Sequence, residues 1–204
     1  MAFPFPTIDG LLREVYQQSR GSVATAACRS LLVKCSLAVM RETAEDIRDI
    51  QVLLDRSYAR AGEHLRSIIT PKRRLSAEEV CAELQGMSLL NLATVNSRCE
   101  PIVGPVDGVF YRGRLWFGSA ENSLRFRHIR ARPQVSATHT RGEELVVTAH
   151  GRAHEIDTST GEHDGFKECL REVYGPDWES WGFWESAPYA WIEARVMFAA
   201  SFKK

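Results

Sequence analysis

The chain is 204 residues long, 44% hydrophobic and 25% charged, a composition that supports a buried core and excludes a disordered chain. Lysine plus arginine and aspartate plus glutamate each total 26, so no net field recruits nucleic acid or an anionic membrane, and any polyanion site has to be local. The five cysteines (Cys28, Cys35, Cys81, Cys99 and Cys169) are odd in number and scattered without a Cys-x-x-Cys pair, which points to free thiols in a reducing cytoplasm rather than to disulfides or zinc.

No stretch approaches the ~20 apolar residues that a bilayer crossing needs. The best candidate, Val23 to Met40, is broken by Arg29 and Lys34, and Asp9 and Glu14 stand where a basic leader region would be. Residues 1–39 carry no clean period and are set apart as a leader. Met40 then opens a regular pattern: Ile47, Ile50, Leu54, Tyr58, Ala61, Leu65 and Ile68 recur at threes and fours, opposite Arg48, Asp49, Asp55, Arg56, Arg60 and Glu63. Pro71 ends it, so residues 40–74 are expected to form a helical extension, a structural or dimer-forming arm.

Leu75 to Val80 is a helix start, with Ser76 and Glu79 placed for a reciprocal capping box and Leu75 for a staple onto Val80. The helix is expected to run to Gln85 and stop at Gly86. From there the pattern is β. Strands are expected over Ser88–Val95, Ile102–Tyr111 and Arg114–Ser119, the last two joined by a hairpin turn at Arg112-Gly113. A short helix fits Ser123–Ala131, stopped before Pro133. A second hairpin turns around Arg141-Gly142, a helix follows over about Glu162–Tyr174, and Tyr189–Phe202 is the last strand. Six strands of this kind suggest a small antiparallel barrel, closed on itself so that no edge is left open.

The stretch from Trp116 to Pro133 is the most informative. A strand ends in small and polar residues and runs straight into a helix, where free amides and the positive end of the dipole make an anion site. Ser119 and Ser123 add hydroxyls, and Arg125 adds a planar fork suited to a phosphate. Arg127, His128, Arg130 and Arg132 lie on the same helix, and helical spacing turns Arg125 and Arg127 to different sides. A solvated arginine face is the competing reading.

The order of these elements resembles the FMN-binding split-barrel family typified by pyridoxamine 5′-phosphate oxidase. The likeness runs from a short helix through an Ala-Thr-Val strand, a polar turn with a following proline, a strand-hairpin-strand, Ser-x-Arg at a helix start, and a strand preceded by proline. It covers Leu75 to Ile156 closely and the rest of the C-terminal region more loosely. The resemblance implies a split β-barrel of about six antiparallel strands over residues 75–204, preceded by the helical extension. It implies FMN as cofactor, with deazaflavin F420 or haem as alternatives, and a homodimer. By position, Arg125 matches the residue that binds the flavin phosphate, and Ser119 and Ser123 match its hydroxyl neighbours. Val103, Gly104, Pro105 and Val106, with Trp116, Phe117 and Gly118, match the strands whose backbones line the flavin ring. An oxidoreductase acting on a small molecule is the function implied, and a non-catalytic flavin, F420 or haem binder or sensor is the alternative.

A flavin carries its own redox chemistry, and the sequence shows no Gly-x-Ser-x-Gly elbow, P-loop or Gly-x-Gly-x-x-Gly. One departure concerns the substrate. Pyridoxamine-phosphate oxidases carry an Arg-x-His pair near the C-terminus, whereas no histidine follows His163 here. His150 and His154, on one face of a strand, offer a weaker metal or haem pair. Trp178, Trp181, Phe183 and Trp184 form a dense aromatic patch, expected to pack against the barrel or to shield a flavin ring.

Overall fold

The computed structural model describes residues 41–203; the leader expected over residues 1–39 lies outside them. Helix α1 (Ala44–Arg60) opens on a capping box in which the Thr43 hydroxyl accepts from the Asp46 amide and the Asp46 carboxylate accepts from the Thr43 amide. The single helix expected across the Met40–Ile69 stripe is broken. Ala61 turns extended (φ −63, ψ 144) and Gly62 starts a separate helix, α2 (Glu63–Ile68). Glycine inside a helix costs about 1 kcal/mol against alanine, and the chain leaves the helix there. Helix α3 (Ala77–Glu83) has the expected Ser76–Glu79 box, with Leu75 and Val80 both buried.

The strands follow as β1 (Met87–Val95), β2 (Pro101–Tyr111) and β3 (Arg114–Gly118), then helix α4 (Leu124–Ala131), β4 (Gln134–Arg141) and β5 (Leu145–Glu155). Helix α5 (Asp164–Tyr174), a 3-10 turn (Pro176–Trp181) and helix α6 (Phe183–Ser186) precede β6 (Tyr189–Ser201). All pairings are antiparallel, and the sheet closes as a barrel in the order β1-β2-β3-β6-β5-β4. This is the six-stranded closed barrel with helices that the sequence pattern implies. The β2–β3 hairpin turns on Arg112 (φ 51) and Gly113 (φ 73), the paired left-handed geometry of the tightest hairpins. Arg112 is held there by Asp46, with Nε to Oδ2 at 2.6 Å.

Alternate residues fill the interior: Leu90 and Leu92 from β1, Val147 and Ala149 from β5, Ile192 and Met197 from β6. Leu54 and Tyr58 of α1 join the same core. The reason lies in β6. It pairs with β3 only through Tyr189, Ala190 and Trp191, which leaves the rest of that edge without a strand. Its register on β5 also slips, because Gly151 faces Ala194 while His150 faces Val196, making Arg195 the extra residue of a bulge. Helix α1 covers this edge. Ser57 Oγ accepts from the Met197 amide at 3.0 Å, the Tyr58 hydroxyl accepts from the Ala199 amide at 3.0 Å, and Arg56 donates to the Arg195 carbonyl at 3.2 Å. Buried backbone groups that lack a strand partner are thus satisfied by side chains.

A second apolar cluster lies on the outer face of β2 and β3. Val109 and Trp116 pack there beneath Phe166, Leu170, Trp178 and Trp184. Among the described residues no helix is long and apolar enough to cross a membrane.

Candidate functional site

Ser123 caps α4 with its hydroxyl accepting from the Phe126 amide at 3.3 Å, which leaves the first amides of the helix free at its mouth. Two residues into the helix, Arg125 reaches back across the barrel wall. Its Nη1 donates to Ser119 Oγ at 3.1 Å and its Nη2 to the Pro105 carbonyl at 2.8 Å. A Cβ at Gly104 would stand 3.3 Å from that same Nη2, so a side chain there would press on the guanidinium where it lies against β2. Arg125 forms no ion pair among the described residues, and burial pushes its pKa down from the ordinary arginine value. A half-buried guanidinium without a carboxylate among the described residues keeps donors that an anion can accept from.

The neighbouring cations behave differently. Arg130 is held by Glu155 through two bonds, Nε at 2.8 Å and Nη2 at 2.6 Å, and Arg127 is exposed. The solvated-face reading therefore describes Arg127 and Arg130 but not Arg125. His128 turns into the Arg125 cleft instead, with Nδ1 3.0 Å from the buried Thr94 hydroxyl. The cleft has a volume of about 200 Å³ and takes in Val103, Gly104, Ser123, Arg125 and His128. His128 and Thr94 were not singled out from the sequence, because nothing in the pattern pairs a helix histidine with a threonine 34 positions earlier.

The other expected residues divide by strand face. Val103 and Pro105 point outward, Val103 being 67% exposed. Val106 and Phe117 point into the barrel core, so only their backbones are available to a ligand. Trp116 and Gly118 look outward from β3 but line a different cavity. Trp116 stacks on Phe166 with ring centres 4.3 Å apart and donates its indole N–H to the Tyr111 carbonyl at 2.9 Å. A Cβ at Gly118 would lie 2.7 Å from the Tyr189 ring, so that ring requires the glycine.

This second cavity is an aromatic chamber of about 300 Å³ between the outer face of β2–β3 and the α5–α6 region. Trp178 and Trp184 of the C-terminal patch are buried, whereas Trp181 and Phe183 are 51% and 49% exposed and line the chamber. Packing thus accounts for half of the patch. Ser119 lines the chamber while accepting from Arg125, which lines the cleft, so one hydrogen bond separates the two.

His150 and His154 do not form a joint ligand set. His150 bonds Ser136 Oγ at 2.8 Å, and His154 bonds Glu193 at 2.9 Å while stacking on Trp191. Four strand steps of about 3.3 Å set them about 13 Å apart along β5, too far for one metal ion. No group of three metal-ligating side chains exists among the described residues.

No family model matches the sequence, and no curated protein matches it. Solved structures are similar in fold at low identity. A conserved hypothetical protein of Mycobacterium tuberculosis superposes with a TM-score of 0.55 at 16% identity, over 65% of this chain and 89% of that one. The haem storage protein HutZ of Vibrio cholerae gives 0.53 at 16% identity, over 60% and 93%. The flavocytochrome Anf3 of Azotobacter vinelandii gives 0.52 at 14% identity, over 64% and 69%. The chain spans about half, 52%, of a protein of unknown function from Agrobacterium tumefaciens, with a TM-score of 0.49 at 16% identity over 57% of this chain. The shared fold is the split barrel.

Proposed function

We propose that the chain binds flavin mononucleotide at the Arg125 cleft and acts as a flavin-dependent oxidoreductase on a small molecule. The observation that carries this reading is Arg125 itself, half-buried, anchored by Ser119 and Pro105, and without a carboxylate among the described residues. A phosphate monoester fits that donor set, with Ser119, Ser123 and the first amides of α4 as further donors. The β2 backbone from Val103 to Val106, beside Arg125, is the surface against which a flavin ring would rest; Trp116 and Gly118 face the second cavity, beneath Phe166 and Tyr189, and do not line the Arg125 cleft. The flavin, when bound, supplies the electron-transfer chemistry. The chain's part is to hold the phosphate, orient the ring and limit its contact with water.

A non-catalytic carrier of flavin, F420 or haem using the same cleft is the competing reading, and the fold shared with a haem storage protein supports it. A homodimer accompanies either reading. Met87, Leu89, Val103 and Leu124 are 50%, 52%, 67% and 58% exposed, apolar side chains that a second copy would cover. The thiols of Cys81, Cys99 and Cys169, unpaired among the described residues, fit a reducing cytoplasm.

The test is titration of the purified chain with FMN, riboflavin, F420 and haem, followed by absorption. FMN is expected to saturate and to bind about 30-fold or more tighter than riboflavin, which lacks the phosphate that Arg125 would pair. Failure of all four to bind would remove the proposal.

A further inference from the structure

We propose that the aromatic chamber is a binding site for a planar molecule of one or two fused rings carrying a positively charged or hydrogen-bond-donating nitrogen. As the substrate site of a flavoenzyme it rests on the function proposed above; as a binding site it stands on the chamber alone.

Size sets the first limit. A dry apolar cavity of about 150 Å³ accommodates benzene, so the chamber's volume of about 300 Å³ suits roughly two rings. Shape and chemistry set the second. The walls are ring faces and edges, among them Trp116, Phe166, Trp178 and Tyr189, and flat apolar surfaces of this kind select flat apolar ligands. At the lining, Trp181 and Phe183 stand edge to face with ring centres 6.1 Å apart, each about half exposed. Two large aromatic side chains left partly in water beside a cavity gain burial when a ring enters it.

Charge selects the rest. Among the described residues, Asp107 is the only charged side chain lining the chamber, and no lysine, arginine or histidine lines it. Asp107 is exposed and makes no ion pair or side-chain hydrogen bond among the described residues. The phenols of Tyr174 and Tyr189 line the same space, and neither is hydrogen-bonded among the described residues. Burial, and secondarily the Asp107 carboxylate, pushes the Tyr174 phenol up to about 12, consistent with the two groups facing one another. A carboxylate among ring faces attracts a cationic nitrogen twice over, through ion pairing and through the rings' negative faces. An anionic ligand would meet repulsion with no compensating donor of positive charge. Because Ser119 belongs both to this lining and to the Arg125 anchor, a ligand here lies beside the site proposed for the flavin.

The test uses three probes of one shape: 1-naphthylmethylamine, 1-naphthylmethanol and 1-naphthoate, titrated calorimetrically into the purified full chain. The amine is expected to bind tightest, about tenfold or more ahead of the carboxylate. Asp107→Asn, isosteric at an exposed position, should collapse that gap. Trp181→Ala and Phe183→Ala should weaken all three probes and keep their order. No amine binding, carboxylate binding as tight as amine binding, or an unchanged gap in Asp107→Asn would each overturn the proposal. Titration of the same preparations with FMN separates the two readings. Loss of FMN binding with amine binding intact defeats only the flavin assignment, and the reverse defeats only the chamber.

Discussion

Replacing Arg125 by alanine removes the guanidinium that links β2, β3 and the start of α4. Truncating one member of a buried charge-assisted pair costs on the order of 2–5 kcal/mol. The structure points to the lower part of that range. Arg125 is half-buried rather than fully enclosed, and the α4 amides and the Ser119 and Ser123 hydroxyls stay in place to hold a phosphate. A loss of about 2–3 kcal/mol corresponds to roughly 30- to 150-fold in FMN affinity. Riboflavin, with no phosphate, should lose no more than about threefold in the same variant, because only ring contacts remain. Arg130→Ala supplies the control, since Arg130 is already committed to Glu155. It should change FMN affinity by no more than about threefold, as expected for an exposed pair. Quenching of flavin fluorescence on titration measures each of these constants. Equal small losses from Arg125→Ala and Arg130→Ala, or a riboflavin loss as large as that for FMN, would refute the assignment of a phosphate to Arg125.

Four further outcomes follow from other parts of the molecule. Tyr58→Phe leaves the Ala199 amide without its partner at the covered edge of β6 and should cost about 1–3 kcal/mol, read as a melting temperature lower by roughly 2–12 °C. Glu42 is buried with neither carboxylate oxygen in hydrogen-bonding geometry, and burial raises its pKa even though the amides of Glu42 and Gly113 and the Arg41 charge oppose the shift. Its contribution to stability is therefore intact below the unfolded carboxylate value of about 4.5 and is lost as pH rises through the folded value. The melting temperature of Glu42→Gln relative to the parent chain should rise from pH 4 to pH 7.5, and a flat or falling difference would contradict it. A chain beginning at Met40 should match the full chain in melting temperature and FMN uptake, since the amphipathic pattern of the sequence opens at Met40 and helix α1 carries its own capping box at Thr43. Pyridoxamine phosphate, finally, should be oxidised no faster than by free flavin, because the last strand offers Arg195 but no histidine to position that substrate; saturable pyridoxal phosphate formation would reverse this.

The local signals for the fold were legible wherever one residue type does one physical job. Ser76 with Glu79, the left-handed Gly86 and Gly113, and the alternation of Leu90, Leu92 and their neighbours each have a short-range cause. The break between α1 and α2 was less visible. Ala61 and Leu65 keep the stripe in phase across Gly62, and only the backbone cost of that glycine argues for a stop. The pattern of α1 marks it as a structural or dimer-forming arm but does not say what it covers. Ser57 and Tyr58 look like ordinary members of an amphipathic helix, yet they bond to Met197 and Ala199, some 140 positions away. That pairing depends on β3 being too short to cover β6, a relation between lengths of distant strands rather than a pattern in any one of them.

The same contrast runs through the site. The strand-to-helix junction announces an anion site locally, and Arg125 does lie against Ser119 and Pro105 there. What separates it from Arg130 is Glu155, which arrives on β5 from 25 positions away. A chain of basic residues on one helix therefore identifies a region, and only the distribution of distant carboxylates says which guanidinium is left to bind a ligand. For the chamber the limit is sharper. Phe166, Leu170 and Tyr174 recur at every fourth position, so the inward face of α5 was there to be found. A cavity, however, is a place where packing stops, and no residue type encodes that. Trp178 and Trp184 fill space, whereas Trp181 and Phe183, of the same chemistry and only a few positions away, are left half exposed beside it. Their exposure, together with an Asp107 and two phenols that make no side-chain bond among the described residues, is the ground on which a ligand is proposed for the chamber.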